Sequence, residues 1–146
     1  MTQYNTQDYF KSFSQYIGIP YSEPAKMPNA TRKTGLHCWE LAEKIMVEAF
    51  KINPPPINYI GSLAQVEPVF LSNLENWQSV ENGEQQGGDL VLIRMRGYPA
   101  HCGVMISKLK FIHVMPGVGK YSTCEDIKNI QWRNRILGFH RWNKND

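Results

Sequence analysis

In the stretch TGLHCWELAEKI, residues 34–45, Cys38 directly follows His37 and opens a run with helical spacing. A thiol is a useful nucleophile as its thiolate, and a helix N-terminus and a neighbouring imidazolium both favour that form. Position supplies the first to Cys38. The second has to come from a histidine distant in sequence, and the chain holds four: His37, His101, His113 and His140. His101 and His113 fall in consecutive strand-like runs, so each could face the start of the helix. A cysteine on a helix start, a histidine on a strand and a polar group orienting the imidazole compose a thiol-hydrolase triad.

The same residue types have plainer readings. Free cysteine is commonly a small apolar core residue. Cys102 alternates away from His101 along one strand and reads as core filling, while Cys124 follows a turn-prone stretch and carries no assigned role. His140, in GFHRW, reads as a surface or edge-strand residue, and His37 as pointing away from its neighbour's thiol. The two His-Cys pairs, at 37–38 and 101–102, lack the spacing that brings two ligands to one zinc ion. No metal and no other cofactor is expected. Three cysteines are an odd count without paired spacing, so a disulfide framework is not expected either.

These side chains need elements to hold them. From Cys38 the apolar residues Leu41, Ala42, Ile45, Met46 and Ala49 recur at three and four, with Glu40, Glu43, Lys44 and Glu48 on the other face. That pattern predicts an amphipathic helix of about three turns with Cys38 on its apolar stripe. TQDYFKSFSQYIG predicts an earlier helix stopped at Gly18, and a proline- and turn-rich loop follows it. Residues 63–87 carry little periodicity beyond a short helix around Val69 to Leu74. Then the period becomes two: DLVLIRM, AHCGVMIS, KFIHVM, GKYSTC and RILGFHRW read as strands. Helices first and an antiparallel sheet after is an α+β layout.

Hairpin register decides whether the two histidines can share a site. A two-residue loop at Lys108–Leu109 would pair Val104 with His113 and put His101 on the opposite face. A three-residue loop at Ser107–Leu109 pairs Ile106 with Lys110 and Gly103 with His113. His101 and His113 then share a face as diagonal neighbours, within roughly 5–8 Å at Cβ. The odd-length loop is therefore expected, with the Cys38 sulfur about 3–4.5 Å from a His101 ring nitrogen. Met105 and Phe111 share that face, and Cys102, Val104, Ile106 and Ile112 fill the other. Gly103, without a side chain, is expected to leave room for the helix end.

Length and composition bound the answer. At 146 residues the expectation is one domain, 1–146, with 42% hydrophobic and 20% charged residues. The net charge of +3 is scattered without a basic block, which argues against nucleic-acid binding. No apolar run is long enough to insert in a membrane, and the N-terminus MTQYNTQDYFKSF does not read as a signal peptide.

Five segments in order, IGIPY, GLHCWELAEKIM, GDLVLIRMRGYPAHCGVMIS, KFIHVMPGVG and NRILGFHRW, resemble the NlpC/p60 cell-wall cysteine peptidases. The likeness covers residues 17–50 and 87–142 and is nearest to the branch found as phage tail components. In that family a Pro-Tyr pair precedes the helix-start cysteine. A GD-L strand, an H-x-G strand and a second histidine about a dozen residues on then follow. The resemblance implies a papain-like α+β fold, with N-terminal helices packed on a C-terminal antiparallel sheet. It implies Cys38 as nucleophile, His101 as general base and then acid, His113 as orienting residue, and Tyr21 beside the oxyanion. The implied substrate is the peptide stem of peptidoglycan, cut between D-glutamate and the following diamino acid. Implied partners are that stem and other phage tail proteins, with synthesis in the bacterial cytoplasm and action at the wall. Alternatives on the same scaffold are a thiol amidase or acyltransferase, or a catalytically silent tail-tip protein. The sequence departs from the family where His37 replaces Asp, where Glu40 replaces Gly, and in a longer Tyr21–Cys38 loop without Gly-Gly.

Overall fold

The computed structural model describes residues 13–22, 37–54, 76–95, 98–115 and 119–142, with the side chains at 95 and 98–100 set aside. The short helix expected around Val69 to Leu74, and most of the first expected helix, lie outside the described residues. What is described of the latter is a 3-10 turn, Ser14–Tyr16. Gly18 follows it at φ +84°, a conformation that suits glycine.

Helix α1 spans Cys38–Phe50 and buries Trp39, Leu41, Ala42, Ile45 and Met46. It ends where Lys51 turns left-handed at φ 57°, and the Ile52 N–H closes back onto the Met46 carbonyl at 2.9 Å. Six strands follow: β1 Gln78–Val80, β2 Leu90–Met95, β3 Tyr98–Met105, β4 Lys110–His113, β5 Thr123–Asp126 and β6 Ile136–Arg141. They form one sheet in the order β1-β6-β2-β3-β4-β5, every pair antiparallel.

Both faces of the sheet are covered, which is why DLVLI reads as a continuous apolar run. On one face Leu90, Leu92, Cys102, Val104, Ile106 and Ile112 pack against α1, Phe13 and Tyr16. On the other, Val91, Ile93, Met105, Phe111 and Phe139 pack against Ile127 and Trp132 from the turns between β5 and β6. The helix contacts both β3 and β4, which brings its start to the strands that carry the histidines.

Three expectations need correction. The strand expected over GKYSTC forms later, at Thr123–Asp126. Residues 120–122 are already engaged: Tyr21 N–H donates to Lys120 O, Gly18 N–H to Ser122 O, and Ser122 N–H to Ile19 O, at 2.8–2.9 Å. His140 is on an inner strand, because β1, a three-residue element without legible alternation, pairs outside β6. Burial there holds its imidazole below the usual range. Gly103 does not make room for the helix. A Cβ there would lie 2.9 Å from the Ile112 carbonyl, 2.9 Å from the Phe111 ring and 3.1 Å from His113 Cβ. The missing side chain admits Phe111 and His113.

Candidate active site

The start of α1 is built by the two residues that depart from the family pattern. His37 is the N-cap, its Nδ1 accepting the Glu40 N–H at 3.4 Å. The Glu40 carboxylate accepts the His37 N–H at 3.2 Å, completing a capping box. Two orphan donors of the first turn are thereby satisfied, and Cys38 is fixed as the first helical residue. His37 does not point away from the thiol as expected. It is buried, and it is among the groups that lower the Cys38 thiol.

Cys38 packs against the helix-side core. Its thiol is held well below the usual thiol range, first by hydrogen bonding from Cys102 and then from His101 and His37, against the opposing effect of burial. Cys102 shifts well upward, because it is buried among apolar side chains and faces the Cys38 charge. The two thiols are thus driven in opposite directions, and the one driven down, Cys38, stands at a helix N-terminus. Cys102 fills the core as expected, but its donor role toward Cys38 was not legible from alternation alone.

His101 and His113 meet because the hairpin has the odd-length loop. The β3–β4 ladder pairs Val104 with Ile112 and Met105 with Phe111, and Ile106 N–H donates to Lys110 O at 2.9 Å. Ser107–Leu109 is thus the three-residue loop. His101 Nε2 and His113 Nδ1 are 2.8 Å apart, and both side chains are buried. Toward these histidines the two strands no longer pair through their backbones. That opened end is where one thiol can meet His101 on one face and Cys102 on the other.

Across the next strand, His113 Nε2 is 3.2 Å from Glu125 Oε2, which also accepts the Thr123 hydroxyl at 3.0 Å. The imidazole of His113 stands edge-on to Phe111 and Trp132, with ring centroids at 5.0 and 4.8 Å. Burial lowers the His113 pKa, while Glu125 opposes that shift. The Glu125 carboxyl is in turn lowered, chiefly by its hydrogen bond with His113. Sequence reasoning missed Glu125. The signal was present: His101 to His113 and His113 to Glu125 are both steps of 12 residues.

Tyr21 is half-buried against the same core cluster as Cys38, its N–H donating to Lys120 O at 2.9 Å. Asp89, of the GD-L pattern, does not join the site. It is buried in a two-pronged pair with Arg141 at 2.8 Å for both contacts, tying β6 to the start of β2.

The architecture has relatives among solved structures. One is a lipoprotein-like NLP/P60 family protein from Staphylococcus aureus, with TM-score 0.58 at 18% identity over 99% of this chain and 44% of that one. Another is an NlpC/P60 family protein from Bacillus cereus, with TM-score 0.56 at 15% identity over 97% of this chain and 41% of that one. The chain spans less than half the length of either, and at these identities the likeness shows the fold alone. No curated protein matches the sequence. A model of the NlpC/P60 family matches residues 18–141, which include α1 and all six strands. NlpC/P60 proteins are generally cell-wall peptidases, and this chain belongs to the NlpC/P60 family.

Proposed function

We propose that this chain is a cysteine endopeptidase acting on the peptide stems of bacterial peptidoglycan, at the bond between D-glutamate and the following diamino acid. The observation that carries the reading is the 2.8 Å contact of His101 with His113, on the two strands against which the helix that starts at Cys38 packs. In this reading the Cys38 thiolate attacks the scissile carbonyl carbon. The oxyanion develops toward the Cys38 backbone N–H at the helix N-terminus, with Tyr21 as a second donor. His101 gives its proton to the leaving amine as the C–N bond breaks, leaving a thioester. It then takes a proton from the water that attacks the thioester, and the thiolate departs. His113 orients the ring of His101 throughout. The capping box of His37 and Glu40 supports the reading, since it fixes the helix start that the family's Asp and Gly would otherwise shape.

A phage tail or tail-assembly setting, with other tail proteins as partners, belongs to the same proposal. Its support is the sequence PGVG at 116–119 and the closing segment RILGFHRW. The test is incubation with purified sacculi and mass spectrometry of what is released. Free L-Ala–D-Glu termini with the native protein, and none with Cys38→Ser, are expected. Unchanged sacculi from several wall types would overturn the reading.

A further inference from the structure

We propose that Glu125 is a positioning residue of this site, whose carboxylate fixes the tautomer of His113 and through it holds His101 for the thiol. The inference rests on reading Cys38 and His101 as the reacting pair. The argument begins with directionality. His101 engages His113 through Nε2, which leaves Nδ1 as the nitrogen available to Cys38. When His101 carries protons on both nitrogens beside a thiolate, its Nε2–H must donate, so His113 Nδ1 must be a bare acceptor. The neutral imidazole has one N–H. It therefore sits on His113 Nε2, and the group 3.2 Å from that nitrogen is Glu125 Oε2. A carboxylate only accepts, so it selects this tautomer and disfavours the reverse.

The strand arithmetic places the group without freedom. On the β4–β5 ladder Phe111 pairs with Glu125 and His113 with Thr123, so all four share one face. Glu125 is the diagonal neighbour of His113, and the Thr123 hydroxyl holds the same carboxylate oxygen at 3.0 Å. A line of hydrogen bonds thus crosses β3, β4 and β5, from the buried His101 to a partly exposed carboxylate on the edge strand. The charged or titratable groups along it are Cys38, His37, Cys102, His101, His113 and Glu125. Burial disfavours the charged form of His113, in the direction the acceptor role requires.

The experiment has one arm without a variant. Long-range proton–nitrogen NMR of the native protein should show His113 protonated on Nε2 with a bare Nδ1; the opposite tautomer would overturn the proposal. In the second arm, Glu125→Ala should move the acid limb of Cys38 alkylation to higher pH. It should also lower kcat about 10- to 100-fold with little change in KM, less than the roughly 10²–10⁴-fold worth of an acid–base group itself. Glu125→Gln keeps an acceptor oxygen and should retain most of both. An alkylation profile for Glu125→Ala identical to wild type would also overturn the proposal. Neither NMR nor alkylation needs a substrate. A protein inert on sacculi whose profile still moves with Glu125→Ala would sink the peptidase reading and leave this role standing. An active enzyme indifferent to Glu125→Ala would sink this role alone.

Discussion

His101 Nε2 lies 2.8 Å from His113 Nδ1, although 12 residues separate them and their strands pair only at Val104↔Ile112 and Met105↔Phe111. The three-residue loop at Ser107–Leu109 creates this contact. One residue fewer would turn His101 to the other face of the sheet.

The room that Gly103 leaves is therefore part of the site. Gly103→Ala puts a methyl 2.9 Å from both the Ile112 carbonyl and the Phe111 ring. The expected cost is about 1–3 kcal/mol, measured by denaturant unfolding, since backbone on one side cannot yield. Turnover should fall further than stability explains, because His113 Cβ is also crowded. A Gly103→Ala protein with native stability and activity would show that the strands part more freely than described.

The three thiols should separate cleanly. Cys38→Ser should abolish turnover and Cys124→Ser, on an exposed edge position, should leave it. Cys102→Ala removes a donor to the thiolate, so the Cys38 pKa should rise and activity on the acid side should shrink. Ultraviolet thiolate titration of each variant gives the comparison.

The helix start at Cys38, the hairpin register and the division of the two faces were legible because each follows from a period and a count. Two features were not. His37 looked remote from the thiol because residues adjacent in an ideal helix diverge, whereas an N-cap folds back over the first turn. Glu125 was lost with its strand: Lys120 and Ser122 resemble strand residues, but their backbones bond to the segment around Gly18–Tyr21. The edge strand therefore begins at Thr123.

Acidification should destabilise the fold in two stages. His113 has a folded pKa below its ordinary 6.5, so its contribution is full above that pH and is lost as pH falls from there. Glu125 lies below its ordinary 4.5, so its contribution persists to lower pH and is lost beneath that value. Tm measured across this range should decline in that order. His113→Gln should flatten the first decline and shrink the second, because the contact with His113 is the chief cause of the lowered Glu125 carboxyl.

Chelation should separate thiol from metal chemistry. Treatment with EDTA should leave turnover unchanged, and alkylation should remove it. Activity lost to EDTA and restored by zinc would redirect the account toward a metalloenzyme.

The most direct test of the central claim, a thiolate at Cys38 sustained by its neighbours, is the pH dependence of iodoacetamide labelling followed by peptide mapping. Cys38 should be modified first, at mildly acidic pH, with Cys102 protected by burial and by its raised pKa. Labelling of Cys102 ahead of Cys38, or a Cys38 that reacts only as an ordinary thiol does, would contradict it.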